Sequence, residues 1–187
     1  MPIDWFPLWL SLRVAALATA KSCIVGIWVG WLLARREFRG KAVLEAVVEL
    51  PLILPPTVLG YYLLVLAADT TPLGGLYRSA FGSPLLFTWQ AAVVASFFYA
   101  APWVIKSARA AFETVDPSYE RAARAMGAST WRVFWGVSLP LARRAILAAA
   151  LLTFVRSMAD FGITIMVAGN VPGRTQTLSV AVYDAAV

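Results

Sequence analysis

Histidine is absent from this 187-residue chain, and cysteine occurs once, at Cys23. Those two scarcities together exclude several function classes. Zinc and haem sites draw on His and Cys ligands, and a disulfide needs two thiols. A lone thiol in an apolar run reads as packing. Charge is scarce too: Asp, Glu, Lys and Arg make up 14% of the residues, whereas soluble domains carry about a quarter. The phosphate-cradling pattern G-x-x-x-x-G-K-S/T is also missing, so no ATP site of that kind is encoded.

What the chain has instead is apolar surface. Hydrophobic residues make up 60% of it, and the mean hydropathy is +0.73. Four stretches, at residues 8–33, 47–68, 85–105 and 145–167, reach the ~20 residues that a helix needs to cross a bilayer. Trp5, Trp9, Trp28, Trp31, Tyr61, Tyr62, Trp89 and Trp103 fall mostly toward the span ends, where interfacial aromatics belong. The first stretch does not read as a signal peptide. Asp4 precedes it, Arg13 and Lys21 interrupt it, and it outruns a h-region of roughly 7–15 residues. Arg13 can snorkel to the interface, whereas Lys21 is deeper and reads as facing the protein interior or a partner. With no repeat or low-complexity linker, residues 1–187 read as one all-α integral membrane domain.

The net charge of +6 would suggest nucleic acid in a soluble protein, but the positions of the charges argue otherwise. Arg35, Arg36, Arg39 and Lys41 sit in the first loop. Lys106, Arg109, Arg121, Arg124, Arg132, Arg143 and Arg144 sit in the third. Basic loops stay cytoplasmic. The expected topology therefore has the N-terminus outside and the first and third loops inside, with no nucleic-acid partner.

Three passages carry more than hydropathy. In 116–140, Asp116-Pro117 is a helix start, with a capping carboxylate followed by proline at the first helical position. Tyr119, Ala122, Ala123 and Met126 share one apolar face by helical spacing. Gly127 is placed for a left-handed C-cap. Ser129 can cap a second short helix bearing Trp131, Phe134 and Trp135, which Leu139-Pro140 is expected to end. Such a segment suits either of two roles. It can lie on the inner leaflet, or its small-residue face can be presented to a protein groove.

The second passage, ELPLILPPTVLG, places Pro51, Pro55 and Pro56 in a span, with Gly60 free for close helix approach. It reads as a structural kink or as part of a pathway or gate. The third is RSMADFGIT. Arg156 and Asp160 are spaced i, i+4 and can pair on one helix face, while Gly162 admits a neighbouring backbone. Ionisable groups at this depth face a bundle interior or an aqueous path. A structural ion pair and a pathway element both fit.

These residues carry a resemblance. The chain resembles the permease subunits of ABC importers, whose cytoplasmic loop has the pattern E-A-A-x3-G-x9-I-x-L-P. Here Ala122, Ala123, Gly127, Leu139 and Pro140 match. Val137 takes the Ile place, Arg121 stands at the acidic position, and Glu120 precedes it. FRGKAVLEAVVELPLILPPTVLGYYLL, FETVDPSYERAARAMGAS and RSMADFGITIMVAGNVPGRTQTL make it most similar to molybdate and tungstate permeases. Asp160 stands where many of those have Glu.

The resemblance implies a type I importer bundle in a bacterial or archaeal inner membrane. It implies a homodimer, a separate ATP-binding subunit holding ATP and Mg, and a periplasmic or surface solute-binding protein. It assigns ATPase coupling to Glu120, Arg121, Ala122, Ala123, Gly127, Leu139 and Pro140. The pathway or gate candidates are Pro51, Pro55, Pro56, Gly60, Arg156, Asp160 and Gly162. It also implies a fifth span beyond the four read here. Two alternatives to molybdate transport stand beside it: a permease for sulfate, thiosulfate or another anion, and a truncated membrane protein that does not transport.

Overall fold

A computed structural model describes residues 4–186, and every regular element among them is helical. Residues 1–3 and 187, the ends of the expected domain, lie outside the described residues. The elements are α1 (Phe6–Arg35), α2 (Lys41–Ile53), α3 (Pro56–Leu66), α4 (Pro72–Phe81), α5 (Trp89–Glu113), α6 (Pro117–Ala125), α7 (Thr130–Val133), α8 (Leu139–Met158), α9 (Gly162–Ala168) and α10 (Leu178–Ala186). A π-helical turn, Phe134–Ser138, joins α7 to α8.

Three helical stretches are long and apolar enough to span a membrane: Phe6–Arg35, Trp89–Glu113 and Thr130–Met158. The pair α2 and α3 is together long and apolar enough as well, but the two helices meet at 114°, the geometry of a broken span or a re-entrant turn. The expected span at 47–68, with its disruption at the prolines, is thus two separate helices. Prolines dictate the break. The residue before a proline is pushed out of the helical region. Leu54 precedes Pro55, and Pro55 precedes Pro56, so two successive residues are extended, at ψ 138° and 139°. Pro56 then opens α3, where its missing N–H costs nothing. Pro51 is accommodated within α2.

The fourth span differs at both ends. Leu139-Pro140 does not end the preceding helix, because the chain continues helically from Thr130 to Met158. Pro140 cannot donate, and its ring would press on the Gly136 carbonyl in a regular α-helix. The widened π turn, closed by Leu139 N–H on the Phe134 carbonyl, absorbs that misfit. At the other end the span breaks after Met158 and resumes as α9.

The main scaffold is α1 against α5. Small residues line the buried face of α1: Ser11, Ala15, Ala18, Ser22, Gly26 and Gly30. A Cβ at Gly26 would stand 2.6 Å from Val104 Cγ1, and one at Gly30 would stand 2.8 Å from the Arg109 nitrogen. The helices therefore touch backbone to backbone, in the manner of small-xxx-small membrane pairs. At the basic end, Ala108, Phe112, Phe134, Ala142 and Ile146 form one core cluster, against which Trp28 and Trp31 pack. Leu59, Leu63, Ala95, Ile163 and Val167 form another between α3, α5 and α9. Lys21 is exposed on α1 and does not face this chain's interior. Arg13 lies 4.0 Å over the Trp89 ring.

Candidate functional site

The sequence-predicted residues gather at two places. Within the span region, the break in α2–α3 crosses the break in α8–α9. A Cβ at Gly162 would lie 3.1 Å from Pro56 Cβ, and one at Gly60 would lie 3.1 Å from Ile163 Cα and 2.9 Å from Met166 Cβ. Gly60 is buried, while Pro55 and Pro56 are exposed at the corner. Pro51 stands off this crossing, half-buried in α2.

Asp160 sits in the second break, buried. Its Oδ2 accepts from Thr164 Oγ1 at 2.7 Å and from Ser96 Oγ at 3.4 Å. The break frees the Asp160 carbonyl, and Ser179 Oγ donates to it at 2.6 Å. A freed carbonyl at membrane depth needs such a donor.

Arg156 does not pair with Asp160. The i, i+4 rule presumes a continuous helix, and α8 ends at Met158 between them. The Arg156 guanidinium lies instead 4.0 Å over the Trp103 ring and 5.9 Å from that of Tyr99. Its buried Nε has no hydrogen-bond partner among the described residues. Tyr99 and Trp103 lie about 15 and 21 Å along α5 from Trp89, within a stretch long and apolar enough to span a membrane.

The second place is the segment from α6 to the start of α8. The Asp116 side chain caps α6 by accepting from Ser118 N–H at 2.8 Å, and this holds its carboxyl below the ordinary value. Gly127 has φ +85°, the left-handed geometry expected for the helix exit. Ser129 Oγ caps α7 by accepting from Arg132 N–H at 3.3 Å.

Helix α6 packs against expectation for an amphipathic helix. Glu120 is its only buried residue, while Tyr119, Ala122 and Met126 of the apolar face are exposed and Ala123 is half-buried. Glu120 Oε1 accepts from Arg35 Nε at 2.8 Å and from Ser138 Oγ at 2.8 Å, and Oε2 accepts from Arg124 at 3.1 Å. Arg35 also donates to the Val115 carbonyl at 2.8 Å. Above this network Trp28 of α1 stacks on Trp131, with centroids 5.0 Å apart and planes 11° apart, and on Phe134 at 4.6 Å. Arg121, at the motif's acidic position, is exposed, as are Gly127 and Pro140. Leu139 is half-buried against the basic-end core.

Sequence reading missed Arg35 and Ser138 as partners of Glu120. Arg35 entered only as a loop charge, and nothing local marks Ser138. It also missed Ser96, Thr164 and Ser179 around Asp160, as well as the aromatic shelf under Arg156.

Both basic loops meet at one end of the bundle, through Arg35–Glu120 between the end of α1 and α6, and Arg109–Glu45 between α5 and α2. Lys106–Glu49 adds a second α5–α2 bridge. A cavity of about 220 Å³ lies beside these bridges, lined by Leu33, Glu45, Glu49, Lys106 and Arg109 among others.

Known proteins are similar to this chain. Residues 26–185 match the family described as "Binding-protein-dependent transport system inner membrane component". The molybdenum transport system permease protein ModB of Escherichia coli is 42% identical over 180 residues, covering 96% of this chain and 79% of that one. ModB of Haemophilus influenzae is 42% identical, covering 94% and 76%. The sulfate transport system permease protein CysT of Escherichia coli is more distant, at 32% identity covering 93% and 62%. Among solved structures, the inward-facing MetNI methionine ABC transporter matches with a TM-score of 0.72 at 22% identity, covering 95% of this chain and 77% of that one, a likeness of fold. A chain with these broken spans, this loop and these relatives belongs to the family of binding-protein-dependent transport system inner membrane components.

Proposed function

We propose that this chain is the pathway-forming subunit of an ATP-driven importer for molybdate, with tungstate as a close analogue. The observation that carries the substrate is the margin between relatives: 42% identity to molybdenum permeases against 32% to a sulfate permease over similar shares of this chain. In this reading two copies line the pathway, a solute-binding protein delivers the oxyanion, and a separate subunit binds ATP and Mg. The N-terminus faces outward. The meeting of both basic loops at one end supports that orientation, since such loops stay in the cytoplasm.

The outward side of α6, with Arg121, Ala122 and the half-buried Ala123, and Gly127 just beyond it, is the surface offered to the ATP-binding subunit. Leu139 and Pro140 carry the segment on into α8. The crossing of Pro55–Pro56 and Gly60 with Asp160–Gly162 is the place where the pathway changes access. Discontinuous helices at mid-depth suit alternating access.

The test is uptake of radiolabelled molybdate by cells that depend on this transporter, with sulfate or tungstate in excess. Competition by tungstate and not by sulfate is expected. Equal competition by sulfate would overturn the substrate assignment. A Gly127→Trp variant is expected to lose uptake while keeping its membrane level, and undiminished uptake would remove the docking role of this segment.

A further inference from the structure

We propose that Glu120 is a positioning residue that latches the ATPase-facing segment to α1, so that α1 is the limb driven by ATPase movement. The inference rests on the importer reading above. The acid beside the E-A-A pattern invites a different role, a direct contact with the ATP-binding subunit. The geometry opposes that role. The Glu120 side chain is 4% exposed, and its two oxygens already take three donors, from Arg35, Ser138 and Arg124. The residue turned outward at the motif's acidic position is the cation Arg121.

Those donors belong to different parts of the fold. Arg35 is the last residue of α1, and Ser138 is the last residue of the π turn leading into α8. Arg35 also grips the Val115 carbonyl, in the turn between α5 and α6. The Arg35–Glu120 pair thus joins the end of α1, the turn after α5, the body of α6 and the entry to α8. The Trp28–Trp131 and Trp28–Phe134 stacks tie α1 to α7 and to the π turn a few residues away. A buried pair of this kind is a poor source of net stability but a strong constraint on arrangement, because removing one partner strands the other's charge.

A push on α6 therefore has no soft joint on which to dissipate at its own end. It passes into α1, which runs thirty residues back across the bundle against α5. A weakly held element beside this body is α2. No residue of α2 is buried, and its links to α5 include the Lys106–Glu49 and Arg109–Glu45 bridges, which are partly exposed. Relative motion falls between the latched body and α2, whose joint to the packed α3 is the proline break.

The experiment uses the complete complex of permease, ATP-binding subunit and solute-binding protein in proteoliposomes, with wild type, Glu120→Gln and Ser138→Ala compared. Three quantities are read: ATP-binding subunit co-purified per permease, ATP hydrolysed, and molybdate moved per ATP. A purely structural role would change the amount of complex but not the last ratio. Expected is unchanged capture in both variants, with molybdate per ATP reduced roughly 5- to 30-fold in Glu120→Gln and less in Ser138→Ala.

An unchanged ratio in both variants overturns the latch. Loss of capture in Glu120→Gln with Ser138→Ala like wild type also overturns it, in favour of a docking contact. Should Glu120→Gln fail to fold, Ser138→Ala decides alone: a reduced ratio supports the latch and a wild-type ratio overturns it. A wild-type complex that hydrolyses ATP but moves no molybdate contradicts the substrate reading; the same ratio is then measured with sulfate and thiosulfate, where a reduction in Glu120→Gln supports the latch and a wild-type ratio overturns it.

Discussion

Gly162 rests on Pro56: a Cβ placed on the glycine would come within 3.1 Å of the proline Cβ and 3.5 Å of Thr57 Cγ2. The corner of one broken span is thus seated on the corner of the other. Gly162→Ala asks the neighbours to give by a few tenths of an ångström and is expected to be mild. Gly162→Val overpacks the crossing, at a cost of about 1–3 kcal/mol. Thermal unfolding in detergent and uptake per membrane-inserted copy check this. Wild-type values for the valine variant would deny the contact its importance.

The proline pair is expected to set the 114° bend. Replacing Pro55 and Pro56 together with alanine lifts the restriction on Leu54 and on residue 55, so α2 and α3 should run together. Spin labels at the exposed positions Val43 and Val65, with Cys23 replaced, would move apart toward about 33 Å, the length of a continuous helix between them. An unchanged distance would assign the bend to packing against α9.

Arg156 is expected to couple to Trp103 and not to Asp160. A double-mutant cycle of Arg156→Gln with Trp103→Leu should show an interaction of about 0.5–2 kcal/mol in thermal stability. A cycle with Asp160→Asn should be close to additive. The reverse pattern would restore the ion pair that the spacing suggests.

The Asp116 cap predicts a pH response at the basic end. The backbone N–H of Ser118 is the leading cause of its lowered pKa, with the Ser118 side chain adding to it. A depressed carboxyl contributes stability that is present above the unfolded value, near 3.8, and is lost as pH falls through the lower folded value. Proteolytic protection of residues 116–140 should therefore hold at neutral pH and fade in that acidic window. Asp116→Asn keeps an acceptor without the titration, so its protection should lack this step. An identical acid step in the variant would assign the response elsewhere.

Much of this architecture is legible from hydropathy, because a stretch of ~20 apolar residues has few alternatives to a span. The starts and stops of α6 and α7 are also legible, since Asp116, Gly127 and Ser129 act on backbone groups within a few residues of themselves. The rest fails where the deciding partner is distant. The period of α6 marks Tyr119 and Met126 as its apolar face, yet Arg35, 85 positions away from Glu120, draws the acidic face inward. The break at Asp160 carries no proline and relies on Ser179 to receive the freed carbonyl. Pro140 has the local marks of a helix stop, but a π turn, which hydropathy does not register, carries the chain through it. The Gly26-x-x-x-Gly30 spacing that seats α1 on α5 is present in the sequence, but counting hydrophobicity gives small residues no weight.

The inverted packing of α6 bears on how the cell makes this protein. Its acid, Glu120, is consumed internally while Arg121 stays outward, and Met126 is left 87% exposed with Tyr119 at 59%, at the basic end of the bundle. A newly inserted copy therefore displays an apolar tip of the kind that chaperones and proteases recognise. Under the docking proposed above, its lifetime should follow the supply of the ATP-binding subunit, and synthesis in excess of that subunit should be corrected by degradation.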